Sequence, residues 1–148
     1  MSRYDQLLTP EGLDMLRQIY PSAPTTDCPA AADALHDWLR GEDLRTVDFS
    51  SSNYQISASF HQATVEHIAQ EVLGMGPDHH VVVRGTRAES SSYSRTHFFI
   101  IANIQGRVYV LDATTRDRSQ DLHEYVQRNE FNRLEFTIHY EATPEFEP

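Results

Sequence analysis

Apolar residues in the first part of the chain recur at the spacing of a helix. Thr9, Pro10 and Glu11 have the character of a helix start, with an N-cap residue, a proline at the first helical position and an acidic first turn. The apolar residues that follow at helical spacing are Leu13, Leu16, Ile19 and Tyr20. We therefore predict a helix that ends before residues 21–27, a loop segment rich in proline and small residues.

Two further amphipathic helices are predicted after this loop. One extends from about residue 28 to residue 40, before Gly41, and the other from about residue 61 to residue 73, before Gly74. Each carries one apolar stripe. The stripe residues are Ala31, Leu35, Trp38 and Leu39 in the first helix, and Val65, Ile68, Ala69, Val72 and Leu73 in the second. Residues 42–60 show no clear pattern apart from a turn at Ser50–Asn53.

The pattern changes to that of strands in the second half of the chain. His80–Arg84 is rich in valine and is predicted to be a strand, followed by an exposed, mobile loop over residues 86–95. The segments Thr96–Ile104 and Arg107–Leu111 are predicted to pair as a hairpin that turns at residues 105–106.

A short helix, another strand and an acidic tail complete the chain. The helix is predicted from Ser119 to about Arg128, and the strand from Arg133 to Tyr140, with alternate side chains on one face. The tail over residues 141–148 is predicted to be frayed. Helices that precede strands indicate an α+β fold, in which N-terminal helices pack on an antiparallel β-sheet within a single domain, residues 1–148.

Composition and charge exclude several classes of protein. The 148 residues include 12 basic and 22 acidic side chains, and the resulting net charge of −10 disfavours a nucleic-acid or anionic-membrane binder. No apolar run has the length of a membrane span, and the N-terminus lacks the apolar region of a signal peptide. The single cysteine, Cys28, excludes an internal disulfide framework and a cysteine-rich zinc site.

The histidines show no metal-binding pattern, and we predict neither a metal nor another cofactor. His79 and His80 are adjacent on a predicted strand, where neighbouring side chains point to opposite faces. His36 lies about two helical turns beyond Cys28, too far away to act as its base, and is predicted to lie on the surface.

Cys28 occupies the start of the second predicted helix. Free backbone N–H groups and the helix dipole favour a thiolate over a thiol at such a position, and the same N–H groups can hold an oxyanion. Thr26 or Asp27 is suited to be the N-cap, and Pro29 fits the first turn. The alternative is a buried structural cysteine, which is the commoner fate of a lone cysteine.

His97 and Asp112 are brought together by the predicted hairpin. A turn at residues 105–106 pairs positions that sum to about 211, so residue 97 faces residue 114 and Asp112 lies within two positions of it. A carboxylate beside an imidazole fixes its tautomer and stabilises the imidazolium. If the sheet packs on the helix that begins at Cys28, the imidazole can meet the thiol, which gives a nucleophile, a base and an orienting carboxylate. Taken separately, His97 and Asp112 are each more often structural residues.

Two segments of the chain, residues 27–41 and 97–112, resemble a known family. The first starts at the cysteine and ends in Leu-Arg-Gly, and the second extends from a histidine through Asn, Gly and Val-Tyr to an aspartate. Both are similar to segments of the papain-fold toxin domains of bacterial polymorphic toxins and effectors, within the papain-like and transglutaminase-like superfamily. The resemblance implies a papain-like fold in which Cys28, His97 and Asp112 are the catalytic residues.

Two positions depart from the pattern of that family. Asp27 precedes the cysteine where the family often has asparagine, and Thr114 and Thr115 follow Asp112 where a glutamine is common. Asp27 and Thr114 are our candidates for binding the substrate or the oxyanion, beside the backbone N–H of Cys28.

Many members of this family are glutamine deamidases, and the resemblance implies a bacterial effector or toxin enzyme. Its reaction is expected to be thiol acyl transfer, with deamidation of a glutamine or asparagine side chain on a target protein as the first hypothesis. With an amine in place of water the same site would be a transglutaminase, and with a peptide bond as substrate it would be a cysteine protease. A non-enzymatic, acidic protein-binding module is the alternative from a different functional class.

The resemblance also implies partners and a route of delivery. The partners are the target protein and a cognate immunity protein, with no nucleic acid. Because no cleavable signal peptide is evident, we expect secretion by a specialised system and action in the cytoplasm of the recipient cell. The chain is also compatible with being the C-terminal toxin module of a longer protein.

Overall fold

A computed structural model describes residues 1–19, 29–44, 54–57, 59–91 and 95–144. This part of the chain contains five helices and eight strands. The helices are α1 (Arg3–Gln6), α2 (Pro10–Ile19), α3 (Pro29–Leu39), α4 (Val65–Met75) and α5 (Leu122–Arg128). The strands are β1 (Tyr54–Ser57), β2 (His61–Gln62), β3 (His79–Arg87), β4 (Thr96–Ile104), β5 (Arg107–Asp112), β6 (Asp117–Ser119), β7 (Phe131–Thr137) and β8 (Glu141–Pro144).

The strands form one large antiparallel sheet and one small one. The large sheet has six strands in the order β2-β7-β3-β4-β5-β6, and β1 pairs with β8 in the second sheet. The predicted α+β class with an antiparallel sheet is therefore confirmed. The predicted helices at α2 and α3 and the hairpin of β4 and β5 are confirmed as well.

Helices cover both faces of the six-stranded sheet, because side chains alternate between the faces along each strand. On β4, Phe98, Ile100 and Ala102 point into a core that they share with α1, α2 and α3. Phe99 and Ile101 point into a second core, which they share with α4 and α5. The N-terminal helices pack on the sheet as expected, and the later helices add a layer on its other face.

Two predicted helices begin later than expected, each after an N-cap residue. α4 begins at Val65, where the Thr64 side chain accepts a hydrogen bond from the backbone N–H of His67, while residues 61–62 form β2. α5 begins at Leu122, after Asp121, whose side chain accepts a hydrogen bond from the backbone N–H of Glu124. Ser119, where the helix was predicted to begin, is instead the last residue of strand β6.

β3 continues beyond its predicted end. Gly85 pairs with His97 on β4 and with Leu134 on β7, so it lies inside the sheet. A Cβ atom at Gly85 would come within 2.5 Å of the Phe131 ring, so this glycine makes room for an aromatic side chain. The expected mobile loop over residues 86–95 is wrong at its start, because Thr86 and Arg87 belong to β3 and are buried.

The last predicted strand and the tail also differ from expectation. Leu134 and Phe136 share a buried face as predicted, but the strand ends at Thr137 and Ile138 is 47% exposed. Tyr140 lies in the core on the other face of the sheet. The tail is paired over residues 141–144, where β8 forms a ladder with β1, whereas residues 145–148 and the predicted turn at residues 50–53 lie outside the described residues.

None of the helices in the described ranges combines the length and the apolar composition that a membrane span requires.

Candidate active site

The hairpin of β4 and β5 places His97 beside Asp112. It turns at Gln105 and Gly106, both with positive φ angles, and its ladder pairs Ile100 with Leu111, which confirms the register predicted from the turn. His97 and Asp112 are diagonal neighbours on the same face of the sheet. Nε2 of His97 lies 2.6 Å from Oδ2 of Asp112, and both side chains are almost completely buried, at 0% and 1% exposure.

The carboxylate of Asp112 has hydrogen-bond partners on both oxygens. Oδ2 faces His97 and also accepts a hydrogen bond from the Tyr125 hydroxyl at 2.5 Å. Oδ1 accepts from the backbone N–H groups of Thr114 at 2.9 Å and Thr115 at 3.2 Å. Burial alone would raise the pKa of Asp112, but the charge of His97 and the hydrogen bonds from His97, Tyr125 and Thr115 hold it below its ordinary value. Asp112 is therefore ionised, and Nε2 of His97 is the donor in their hydrogen bond.

Tyr125 belongs to this cluster, but the sequence did not assign it to the site. It was predicted to face inward from a short helix, and it does so from α5, with its ring edge-on to Phe99 at 4.9 Å. Burial, followed by the charge of Asp112, raises the pKa of Tyr125 well above its ordinary value, so the hydroxyl remains a neutral donor. The available signal was that a buried tyrosine hydroxyl usually requires a hydrogen-bond partner.

Aromatic rings fix the plane of the His97 imidazole. Its centroid lies 6.2 Å from that of Phe99 and 6.1 Å from that of Phe131, and the planes differ by only 21° and 12°. Arg87, at 2% exposure, lies over the Phe131 ring at 4.7 Å and donates from Nε to the carbonyl oxygen of Asn129. The ring cluster therefore restricts rotation of His97 while the carboxylate fixes its tautomer.

Thr114 and Asp27 were the candidates for binding the substrate or oxyanion. Thr114 is buried directly beside the pair, and its backbone N–H is already used by Asp112. Its hydroxyl oxygen has no hydrogen-bond partner among the residues that the structure describes. Asp27 lies outside the described residues.

Cys28 also lies outside the described residues, directly before Pro29, the first residue of α3. α3 packs on the sheet as expected, but on the face of Phe98 and Ile100, opposite to the face that carries His97. Its C-terminal half lies near the Ala102 end of β4, because His36 contacts His80, which pairs with Ala102.

A second cluster of histidines lies at the other end of the sheet, around a cavity of about 400 Å³. His80 contacts the Tyr4 hydroxyl through Nδ1 at 2.7 Å and Nδ1 of His36 through Nε2 at 2.8 Å. The prediction that His36 lies on the surface is wrong, because its side chain packs between β3 and Tyr140 and is only 4% exposed. In the described ranges, no three His, Cys, Asp or Glu side chains are arranged to share a metal ion.

Comparison with known families gives a match over most of the chain. The family model described as papain fold toxin 1, glutamine deamidase, matches residues 16–117, which is more than two thirds of the chain. The matched range includes α3, the hairpin of β4 and β5, and the positions of Cys28, His97 and Asp112. No curated protein matches this sequence.

Proposed function

Because this chain belongs to the papain fold toxin 1, glutamine deamidase, family, we propose that it deamidates a glutamine, or asparagine, side chain on a target protein. In this proposal Cys28 is the nucleophile, His97 is the general acid and base, and Asp112 orients His97. The family is one of toxin domains, and in this proposal the chain acts inside target cells.

The observation that carries this proposal is the buried contact between His97 and Asp112. An ionised carboxylate 2.6 Å from Nε2 stabilises the imidazolium, which is the form that supplies a proton to a leaving group. Because Nε2 donates to Asp112, Nδ1 is the ring nitrogen that exchanges a proton with Cys28.

The reaction proceeds in two halves. The Cys28 thiolate attacks the carboxamide carbon, the C–N bond breaks, and ammonia leaves with a proton from Nδ1 of His97. A thioester between Cys28 and the former glutamine remains. His97 then removes a proton from water, the hydroxide attacks the thioester carbon, and the C–S bond breaks to give a glutamate side chain and the thiolate. Asp112 stays ionised throughout.

The oxyanion of each tetrahedral intermediate needs donors near the sulfur. We assign this role to backbone N–H groups at the start of α3, which are the ones that a helix leaves without intrahelical partners. The Thr114 hydroxyl, buried next to Asp112, is our candidate for contacting the carboxamide, and Asp27 for contacting the substrate beside the cysteine.

The same proposal names two partners. The target presents a side-chain amide and, because the chain has a net charge of −10, we expect a basic surface around that amide. A cognate immunity protein is expected to cover the site in the producing cell. Delivery through a specialised secretion system, followed by action in the recipient cytoplasm, completes the proposal.

The test is to express the chain and its Cys28→Ser variant separately in bacterial and cultured human cells and to compare the proteomes by mass spectrometry. We expect a protein that gains about 1 Da per converted amide only with the unchanged sequence, since an amide becomes a carboxylic acid. A cross-linked product would indicate a transglutaminase, and fragments a protease. A toxic effect that persists in Cys28→Ser without any modified protein would favour the binding module.

The lone cysteine permits a second measurement that needs no target. Iodoacetamide labels Cys28 alone, and a thiolate paired with His97 reacts rapidly at about pH 6, where an ordinary thiol is protonated. We expect His97→Gln to lose this reactivity at low pH, and His123→Gln, which changes an exposed histidine, to retain it. Labelling at the rate of an ordinary thiol in the unchanged protein would contradict the proposed nucleophile.

A further inference from the structure

Tyr125 and His97 donate to the same oxygen atom. The Tyr125 hydroxyl lies 2.5 Å from Oδ2 of Asp112, and Nε2 of His97 lies 2.6 Å from that atom. The other oxygen of Asp112 is occupied by two backbone N–H groups, from Thr114 and Thr115. The hydrogen bond from Tyr125 therefore weakens the interaction of Oδ2 with His97, because both donors are stabilised by the same negative charge.

The position of Tyr125 is fixed by packing. Its ring is completely buried in the core between the sheet and α5, 4.9 Å from the Phe99 ring and 6.1 Å from the Phe131 ring. These two rings also flank the imidazole of His97. The hydroxyl is consequently held in place by the same side chains that orient the histidine, and it needs no rearrangement to act on Asp112.

Few charges reach this cluster from the described elements. β3 contributes Arg87, β6 contributes Asp117, and β5 contributes Asp112 itself, and all three act on Tyr125. Asp117 is in turn paired with Arg128 of α5 at 3.2 Å. β7 contributes the apolar Phe131. Within these elements the hydroxyl of Tyr125 is the neutral donor closest to the carboxylate, so its removal is the cleanest single perturbation of the pair.

We infer that Tyr125 is a positioning residue, which shares Oδ2 of Asp112 with His97 and thereby tunes how readily His97 gives up its proton. A buried imidazolium held by an undivided carboxylate would bind its proton too tightly to act as an acid near neutral pH. Sharing the carboxylate weakens that hold, so that His97 can both donate a proton to ammonia and accept one from water. The importance of this tuning for catalysis rests on the function proposed above.

The experiment measures the titration midpoint of His97 by NMR, in protein that contains isotope-labelled histidine. The protein also carries Cys28→Ser, so that no thiol titrates. The His97 signal is assigned from its absence in His97→Gln. Tyr125→Phe removes only the hydroxyl, and we expect the titration midpoint of His97 to rise by about half a pH unit. The matched control is Tyr109→Phe, which removes a hydroxyl that accepts from Gln120 Nε2 at 2.6 Å, away from Asp112, and should leave the midpoint unchanged.

A midpoint that is the same with and without the Tyr125 hydroxyl overturns the inference. If Tyr125→Phe does not fold, the unchanged sequence provides the decisive signal, because a hydroxyl proton in a short, buried hydrogen bond exchanges slowly and resonates far downfield. That proton must be absent from Asp112→Asn if the inference is correct, and its persistence there would also overturn it.

The consequence for catalysis is tested separately, with Cys28 intact. Once a target is known, the alkaline limb of the kcat/KM profile should move to higher pH in Tyr125→Phe by the same amount as the NMR midpoint, whereas a purely structural role would lower the rate without moving the limb. A raised midpoint in a protein that modifies no target supports the role of Tyr125 and contradicts the proposed function, so the two failures are distinguishable.

Discussion

Two histidines lie at opposite ends of the same sheet, each in a hydrogen-bonded cluster that includes a tyrosine hydroxyl. Of these two, only His97, which is fully buried, lies beside a carboxylate among the described residues. His97 faces Asp112, to which Tyr125 also donates. His80 contacts the Tyr4 hydroxyl and another imidazole, that of His36. Burial, and then the charges of its cationic neighbours, lower the pKa of His80 from 6.5 to about 3.

The comparison shows what a carboxylate partner adds, because burial by itself lowers the pKa of an imidazole and a neighbouring carboxylate opposes that effect. His80, which has no carboxylate partner among the described residues, stays neutral at physiological pH and serves as a hydrogen-bonding link between β3, α1 and α3. Tyr4 behaves consistently, since burial, with the charge of Asp78, raises its pKa to about 12 and keeps it a neutral donor. The end of the sheet that holds Asp112 is thus the one suited to acid–base chemistry.

The change with the largest expected effect removes the carboxylate beside His97. Asp112→Asn should lower the rate of deamidation by about a thousandfold or more, because an amide neither stabilises the imidazolium nor fixes the required tautomer. Before a target is known, the rate of Cys28 alkylation at about pH 6 is the readout and should fall as well. Asp14→Asn, which changes an exposed aspartate paired with Arg17, is the control and should leave both rates unchanged. If Asp112→Asn lowered these rates by less than about tenfold, His97 would not depend on its carboxylate partner, and the contrast with His80 would be contradicted.

A smaller effect is expected from disturbing the aromatic support of His97 without touching its hydrogen bonds. In Gly85→Ala the new Cβ would meet the Phe131 ring at 2.5 Å, so the ring must leave its position beside the imidazole. We expect the free energy of unfolding, measured in urea, to fall by about 1–3 kcal/mol. The alkylation rate of Cys28 should fall with it.

The matched control for this change is Gly74→Ala in α4, where an added Cβ has nothing within 4 Å. It should raise the free energy of unfolding by up to about 1 kcal/mol, because alanine favours a helix over glycine. Equal effects of the two substitutions would mean that Phe131 does not depend on the missing side chain at Gly85.

The smallest effect is expected from His80 and appears as a pH dependence of the free energy of unfolding. The unfolded state binds a proton at His80 below about pH 6.5 while the folded state does not until about pH 3. The free energy of unfolding should therefore fall as the pH is lowered through this window, by at most about 1.4 kcal/mol per pH unit. Asp112, with a lowered pKa, stabilises the fold above its ordinary value of 3.8 and loses this contribution only in stronger acid.

Urea unfolding at about pH 7 and about pH 5 measures this slope. His80→Gln should make it shallower, and His123→Gln, which removes an exposed histidine, should not. A slope that His80→Gln leaves unchanged would show that His80 is protonated in the folded protein. His80 would then not differ from His97 in the way described above.

Local sequence signals were sufficient for the central part of the candidate site. The turn at Gln105 and Gly106 fixes the register of the hairpin, and the register alone places His97 next to Asp112. The same holds for α2 and α3, whose starts are marked by Pro10 and Pro29 and whose apolar stripes follow helical periodicity. These features depend on residues close together in the chain.

Other features were decided by contacts between distant segments. Tyr125 reaches Asp112 only because α5 packs on the face of the sheet that carries His97, and no local pattern states which face a helix will cover. β3 continues through Gly85, where the absence of a side chain leaves room for the ring of Phe131 from β7. The burial of His36 and Arg87 likewise depends on side chains far away in the sequence.

The sequence by itself therefore determined the class of fold, the hairpin, and the proximity of the imidazole to the carboxylate, since periodicity and turn geometry are local properties of the chain. The tertiary structure decided which tyrosine shares that carboxylate, which rings hold His97, and that His80 contacts a tyrosine and another histidine. Those outcomes depend on which faces of the sheet the helices bury, and burial is a property of the whole packed chain.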